Sequence, residues 1–485
     1  MMSSPSLKKR RMKKSSLPVD RISDLPDSIL FEILYFLPTK LVVTTSVLSK
    51  RWKHVWLSVL ALDFDSGGIE TSDLFLDGVH STMYRRDITL PIHSFRFKSR
   101  DFCIQNDINQ FVYLVLQRGI QNLCLDLYKY CRFTIELPAT ILSCRTLKVL
   151  KLRNLTVGDI SQVDIYLPSL KTLHLHKIDF KCYEHLKNLL LGCPVLEDLE
   201  TTKSCFVANF LSRLSADFIA LPSLIKARIC ELHIPFSMVC KAEILRVERV
   251  WMLPCYMQFP MFESLTHLEL SFNSEVYNPK WKWLMRMLKL SPKLQNLIIK
   301  DNEDLEEKID ECWKDPPNIP ECLSSQLKTC RIRVFKGTQY DLQFAIYIME
   351  NSKVLETMRI NSIRSLDINE KYQLLAKLSS STRGSTTCHP NWWYSKESNT
   401  TRGTYSRILR PTQLGLDLCF FKFANSIRHG NGVGWGRVLP SPSSYPIIYL
   451  PVTLPLPNGD EKLNFIPVPD GFGYPHPIPA SNNFF

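Results

Sequence analysis

The stretch RISDLPDSILFEILYFLPTKLVVTTSVLSKRWKHVWLSVLA, residues 21–61, predicts three short helices in succession. The first opens at Asp24 or at the Leu25-Pro26-Asp27 turn, because proline in a first turn loses no hydrogen bond and a carboxylate stabilises the positive end of a helix. Pro38 ends it. Its apolar residues recur at steps of one, three and four and form a stripe nearly half the helix circumference wide: Ile29, Leu30, Ile33, Leu34 and Leu37.

Two further helices complete this module. Thr39 is expected to cap the second, and Ser49 the third, which runs from Lys50 to Leu57 with Trp52 and Trp56 on one face. A module this small rarely buries enough apolar surface by itself, and residues 21–61 contain no cysteine for a disulfide or metal. We therefore expect its apolar stripe to dock on another surface, either a partner protein or the rest of the chain.

The same stretch resembles the F-box in its plant form, through LPDSIL, the Leu37-Pro38 pair and VLSKRWKHVW. The resemblance implies binding to the SKP-type adaptor of a cullin-RING ubiquitin ligase and, through the adaptor, to cullin. The residues that it assigns to the adaptor are Leu25, Pro26, Ile29, Leu30, Ile33, Leu34, Leu37, Pro38, Val47, Leu48 and Trp52.

One residue departs from the family pattern, and two alternatives stay open. Leu41 stands where the family commonly has an acidic or small residue, and we expect this apolar side chain to modulate adaptor affinity without abolishing binding. The alternative for the apolar stripe is packing against the rest of the chain. For Trp52 and Trp56 the alternative is packing between the helices of the module itself.

Beyond residue 90 the pattern apolar-x-x-apolar-x-apolar returns at spacings of 18 to 33 residues, close to those of leucine-rich repeats. Each unit predicts a short strand with its apolar side inward, and stacked units share one core. The triplets are Ile92/Phe95/Phe97, Ile120/Leu123/Leu125, Leu147/Leu150/Leu152, Leu170/Leu173/Leu175, Leu196/Leu199/Thr201, Leu224/Ala227/Ile229, Ala242/Leu245/Val247, Leu265/Leu268/Leu270, Leu294/Leu297/Ile299, Leu327/Cys330/Ile332 and Leu355/Met358/Ile360.

The repeats predict an α/β fold in which a curved parallel sheet has an outer layer of helices, for example over residues 183–191 and 281–290. Polar residues at alternate strand positions are expected along one face, which suits the capture of another macromolecule. They include His174, His176, Arg246, Glu248, Glu269 and Arg359.

The run from Trp313, WKDPPNIPECLSSQLKTCRIRVFKGTQYDLQFAIYIMENSKVLETMRI, together with KYQLLAKLSSSTRGSTTC, is similar to the FBD region that follows the repeats in plant F-box proteins. Residues 339–350 predict an amphipathic helix between two strands, so we expect this region to close the solenoid. The predicted organisation is a basic disordered arm (1–20), the F-box (21–61), an irregular leucine-rich-repeat solenoid (62–312), the FBD-like region (313–388) and a Pro-rich disordered tail (389–485). The joint between the first two folded units is expected within residues 62–90.

The tail contains eleven prolines between residues 440 and 479, a density that blocks helices and sheets. An uncommitted appendage or a mis-spliced reading frame is the favoured interpretation, and a partner-binding arm is the alternative.

Charge and cysteine content point to the cytoplasm, the nucleus or both. The net charge is +13, but six of the cations stand in KKRRMKK at residues 8–14, and the rest are interleaved with acids without an obvious basic groove. The arm is either a nuclear import signal or a solvated tail. No secretory signal or membrane span is predicted, and fifteen scattered cysteines are expected to be thiols in a reducing compartment.

No motif for catalysis or for cofactor binding is present. His174 and His176 could place two imidazoles on one strand face and bind a metal, but without a further ligand in view we favour exposed repeat residues and expect no metal.

The sequence therefore predicts a non-catalytic F-box receptor that captures an unidentified protein target through the repeats. The alternatives are a nuclear protein that binds nucleic acid through its basic arm, which we do not favour, and an inactive F-box-derived protein.

Overall fold

The computed structural model describes Ile22 and residues 24–393, apart from gaps at 70, 102, 129–133, 203–204, 207–219, 231–233, 251–258, 273–279, 302–314 and 364–365. The predicted basic arm lies outside the described residues, and so does the predicted tail from residue 394 onward. The ten cysteines with described side chains are all unpaired.

The described strands, in chain order, are β1 (Ala61–Asp65), β2 (Ser94–Lys98), β3 (Asn122–Asp126), β4 (Val149–Arg153), β5 (Thr156–Val157), β6 (Thr172–His176), β7 (Asp179–Phe180), β8 (Asp198–Thr202), β9 (Cys205–Phe206), β10 (Lys226–Cys230), β11 (Ile244–Val250), β12 (His267–Phe272), β13 (Asn296–Lys300), β14 (Thr329–Phe335), β15 (Thr357–Ser362) and β16 (His389–Trp393). β5, β7 and β9 form a small parallel sheet. The other described strands form one parallel sheet in chain order.

The described helices are α1 (Asp27–Tyr35), α2 (Thr39–Thr44), α3 (Lys50–Val55), α4 (Ser72–Arg85), α5 (Gln105–Leu116), α6 (Tyr183–Leu191), α7 (Phe236–Val239), α8 (Lys280–Lys289), α9 (Glu321–Ser325), α10 (Gln339–Asn351) and α11 (Ile368–Ser380). Short 3₁₀ turns cover Thr45–Val47, Trp56–Ser58 and Ala139–Ser143. The bounds of three helices, α6, α8 and α10, differ by at most one residue from those of the segments predicted as helices, where apolar residues recur at helical spacing.

The core of the sheet is built from the predicted triplets, and every residue of all eleven is buried. Their second residues lie opposite one another from strand to strand, as Leu150 does to Leu173 and Leu173 to Leu199. Helix residues such as Phe111, Leu186 and Phe344 complete the same core. The strands therefore share one continuous apolar layer, as the repeat pattern predicts.

The sheet extends beyond the predicted repeats at both ends. Val59, Leu62 and Phe64 are a further buried triplet, and β1 pairs with β2. At the other end β16 pairs with β15, so the sheet continues five residues into the segment predicted as tail. Residues 62–90, predicted as a joint, form instead the first repeat with β1 and α4.

The FBD-like region continues the solenoid. Its strand β14 pairs with β13, and the Trp281 ring of α8 stacks on Phe344 of α10 with centroids 4.3 Å apart. The Lys280 ammonium lies 2.6 Å from the Asp301 carboxylate and 3.2 Å from that of Asp341. Because both acids are buried, this lysine neutralises charge that would otherwise be costly inside the protein.

The three-helix module has a separate core and joins the first repeat without a linker. Its buried residues are Leu30, Leu34, Val42, Trp52, Val55, Trp56 and Val59. Thr39 was expected to cap α2, but Pro38 occupies the cap position, and the Thr39 hydroxyl instead accepts a hydrogen bond of 2.7 Å from the Asp63 backbone N–H. That bond ties α2 to β1.

Arg86, directly after α4, makes the second connection. Its guanidinium is buried and donates to the Val59 carbonyl at 2.6 Å and to the Trp56 carbonyl at 3.4 Å. Burial, followed by the nearby Arg118 charge, lowers the pKa of Arg86 to about 10, so the residue is still charged at neutral pH. The two carbonyls that accept from Nη1 and Nη2 offset part of the cost of burying this charge.

We expect Arg86→Met to lower the free energy of unfolding by about 2–3 kcal/mol, because a buried carbonyl loses its charged donor. Urea unfolding of the full chain measures this. Arg85→Met is the matched control, since Arg85 is exposed beside it. Equal effects of the two substitutions would contradict the role given to Arg86.

Candidate protein-interaction surfaces

Helix α1 carries two apolar rows that the sequence analysis combined into one stripe. Leu30 and Leu34 are 0% and 2% exposed and face the core of the module. Ile29, Ile33 and Phe36 follow at spacings of four and three and are 46%, 40% and 79% exposed. At this spacing the three residues lie on one helical face, which we call the outer row. The outer row is the part of α1 that is available to a partner.

The predicted adaptor-contact residues separate by exposure. Pro26, Ile29, Ile33, Pro38, Val47 and Leu48 are exposed, Leu25 and Leu37 are half-buried, and Leu30, Leu34 and Trp52 are buried. The three buried side chains hold the module together, and the assignment of this set of residues to the adaptor stays a prediction. For Trp52 and Trp56 the structure supports the alternative of internal packing.

Two exposed side chains extend the apolar surface beyond the predicted set. Phe36 was not predicted, although its spacing from Ile33 and Ile29 could have shown that it shares their face. Leu41, on α2, is also exposed, as its departure from the family pattern led us to expect.

Arg51 fixes the turn before α1. Its guanidinium donates to the Asp27 carboxylate at 2.8 Å and to the Leu25 carbonyl. The Ser49 hydroxyl caps α3 as predicted, accepting from the Trp52 N–H at 3.5 Å. The bonds of Arg51 hold α3 against the start of α1 and so position the outer row, although an ion pair this exposed contributes little stability.

The second surface is the face of the large sheet opposite its apolar layer, which we call the polar face. Its central residues pair from strand to strand in one register. In chain order they are Asp63, Arg96, Cys124, Lys151, His174, Glu200, Arg228, Arg246, Glu269, Ile298, Arg331 and Arg359. The predicted outward residues on β6, β11, β12 and β15 all fall on this face.

From β1 to β12 most charges of the polar face form ion pairs across neighbouring strands. Arg96 donates to both Asp63 oxygens at 2.8 and 2.9 Å. Arg228 bridges two carboxylates, Glu200 at 2.9 Å and Glu248 at 2.5 Å. This part of the face is close to charge balance.

Cations gather between β13 and β15, where the sequence analysis expected no basic groove. Arg331 lies opposite Arg359, and Arg333 lies opposite Lys300. Burial and then the positive charges of Arg333 and Arg359 lower the pKa of Arg331. Within the described residues neither Arg331 nor Arg333 forms an ion pair. Lys300 and Arg333 also line a pocket of about 280 Å³ on this face, together with Arg246, Glu248 and Glu269.

A histidine pair lies nearer the middle of the polar face. His174 and His176 are half-buried neighbours on β6, and Glu200 on β8 lies directly opposite His174. Burial lowers the pKa of His176 although the Glu200 carboxylate opposes that shift. The His174-x-His176 spacing indicates the two imidazoles in the sequence, but nothing in the sequence indicates this carboxylate.

Three family models match successive parts of the chain. The F-box domain matches residues 22–61, the leucine-rich repeats of an FBD-associated F-box protein match residues 108–253, and FBD matches residues 315–360. None of the helices among the described residues is long and apolar enough to cross a bilayer.

Similar proteins come from Arabidopsis thaliana. An F-box/FBD/LRR-repeat protein is 30% identical over 427 residues, which cover 76% of this chain and 92% of the relative. A second protein of that description is 30% identical, and the alignment covers 76% of this chain and 98% of the relative. An FBD-associated F-box protein is also 30% identical and covers 77% of this chain and the whole relative.

The two rows of α1 predict different losses of stability when neighbouring residues are truncated to alanine. We expect Leu30→Ala to lower the free energy of unfolding by about 2–5 kcal/mol, as a large-to-small change in a core does. We expect Ile29→Ala to change it by less than about 0.5 kcal/mol, because Ile29 is at the surface. Urea unfolding of both variants measures the difference, and similar losses would place Ile29 in the core.

Proposed function

The chain belongs to the F-box/FBD/LRR-repeat family, and from that membership we propose that it is the substrate-recognition subunit of an SCF-type cullin-RING ubiquitin ligase. The F-box would bind an SKP-type adaptor, and through the adaptor cullin, while the solenoid holds a protein target. In this role the chain has no catalytic group. It contributes proximity, because a held target meets the ubiquitin-loaded enzyme at a high effective concentration. We propose that it works in the nucleus, the cytoplasm or both.

The observation that carries the adaptor proposal is the exposure of the outer row. Leu30 and Leu34 pack in the core of the module itself. Ile29, Ile33 and Phe36 are exposed and are not part of that core. Isolated exposed apolar residues are ordinary, but a row of three in a matched F-box has a defined candidate partner. A partner helix laid along the row would bury these side chains at the i, i+4, i+7 spacing that grooves and helices recognise.

For the target we propose the polar face, and within it the cations of β13–β15. Arg331, Arg333 and Lys300 face outward on adjacent strands, and the pocket beside them opens on the same side. Bringing like charges together is unfavourable unless a ligand supplies the opposite charge. We therefore propose that the target presents an acidic segment to this part of the sheet.

We expect Ile29→Asp combined with Ile33→Asp to abolish the complex with an SKP-type adaptor, because two carboxylates in the contact would be buried without partners. Co-expression followed by size-exclusion chromatography measures the loss of the stoichiometric complex. The control is Tyr113→Asp, which places one carboxylate on an exposed aromatic residue of α5, away from the outer row. A complex that survives in the double variant at native stoichiometry would refute the assigned surface.

A labelled peptide of ten glutamates serves as a test ligand for the basic part of the polar face. We expect Arg331→Glu to weaken its binding at least tenfold in fluorescence anisotropy, which corresponds to about 1.4 kcal/mol. Lys151→Glu is the control, because it makes the same charge change on β4 of the same face. Tighter binding of a single-stranded RNA of equal charge, or equal losses in both variants, would overturn the acidic-segment proposal and leave the adaptor result unaffected.

A further inference from the structure

The side chains of His174, His176 and Glu200 converge on the polar face in the arrangement of a metal site. The two histidines are two residues apart on β6, so both imidazoles leave the same side of the strand. The parallel pairing of β6 with β8 then brings Glu200 directly opposite His174, although 26 residues separate them in sequence. The third ligand that sequence analysis lacked is supplied by strand register.

The distances fit three ligands around one cation. The Glu200 Oε2 atom lies 3.8 Å from His174 Nδ1, and Glu200 Oε1 lies 3.8 Å from His176 Nε2. One donor atom from each of the three residues lies within 4.8 Å of the other two. Tetrahedral zinc with bonds of about 2.1 Å needs donors about 3.4 Å apart, so small rotations of these side chains suffice.

The remaining ring nitrogens face groups that suit coordinated histidines. His176 Nδ1 lies 2.5 Å from the Thr202 hydroxyl, which leaves Nε2 directed at Glu200. His174 Nε2 is 3.6 Å from the Asp198 carboxylate and, within the described residues, is a buried nitrogen without a hydrogen bond. A ligating histidine normally donates its other N–H to a carboxylate or hydroxyl, which fixes the ring and strengthens the ligand. His176 has such a partner in Thr202, and a small movement of the Asp198 side chain would give His174 one.

Acidic and basic side chains both surround the site, so the ligand chemistry and not a surplus of negative charge argues for a cation. Asp198, Glu200 and Glu248 lie on one side of the site, and the cations around it are Arg228, Lys151 opposite His174 and Arg153 opposite His176. Arg228 donates to Glu200 Oε1, so the ligand oxygen we assign is Oε2. Two imidazoles and one carboxylate are ligands that zinc prefers, and three protein ligands leave a fourth position open.

We propose that His174 Nδ1, His176 Nε2 and Glu200 Oε2 bind one zinc ion on the polar face, with Asp198 and Thr202 orienting the two rings. The open fourth position points away from the sheet, where water or a ligand side chain can complete the coordination. This site does not depend on the ligase role, because it rests only on the β6–β8 pair.

Metal-stripped full-length protein titrated with zinc in a calorimeter tests the proposal. We expect one equivalent to bind, and we expect His176→Ala and Glu200→Gln each to weaken binding at least tenfold. Glu200→Gln is nearly isosteric and keeps an oxygen for Arg228, so loss of binding in that variant is not loss of fold. His267→Ala, which removes an exposed histidine of β12, is the control and should bind like the native chain.

Cobalt(II) substitution separates this site from binding by the cysteines of the chain. The proposed nitrogen and oxygen ligands predict visible d–d bands without a thiolate-to-cobalt charge-transfer band. Asp198→Asn should weaken binding by about tenfold while the cobalt bands remain. A charge-transfer band, binding that Glu200→Gln leaves unchanged, or no stoichiometric binding at micromolar zinc would each overturn the proposal.

Discussion

A strand of five residues cannot bury its own apolar side, and the structure depends on how the chain meets this constraint. Each strand supplies two inward side chains, and they reach low exposure only because the next strand repeats them in the same register, as Leu150, Leu173 and Leu199 do. Helix residues such as Phe111 and Phe344 cover the opposite side of that layer. The sheet therefore continues through the FBD-like region to β16, since each added strand buries the one before it.

The same constraint places no packing requirement on the other side of the sheet. The residues of the polar face have no packing function, so their chemistry changes from strand to strand while the register places each one beside its neighbours. Arg96 and Asp63 become an ion pair, His174 and Glu200 become adjacent ligands, and Arg331 meets Arg359. Proximity across strands, not proximity in sequence, decides which functional group each of these residues belongs to.

The apolar periodicity predicted the fold because buried positions recur at a regular spacing along the sequence. The prediction failed where a second sequence pattern overlapped this periodicity. Val59, Leu62 and Phe64 complete a triplet that the end of the F-box motif concealed. Within α1, apolar character alone could not separate Leu30 from Ile29, because the distinction depends on where α3 packs. Glu200 could not be assigned to the histidines at all, since a separation of 26 residues becomes a contact only through the pairing of β6 and β8.

A receptor that acts by proximity needs its target at a defined distance from its adaptor, which makes the joint after the F-box important to the proposed role. A flexible linker would spread the target over a large volume and lower its effective concentration at the enzyme. Here α3 runs through one 3₁₀ turn into β1, the Thr39 hydroxyl binds the Asp63 N–H, and Arg86 holds the Val59 carbonyl. Because the Arg86 bond is buried at the boundary and the Thr39 bond is partly buried, motion of the F-box against the first repeat would cost at least the Arg86 bond without replacement by water. Rigidity at this joint follows from satisfying buried polar groups, and it fixes the outer row relative to the strand from which the solenoid grows.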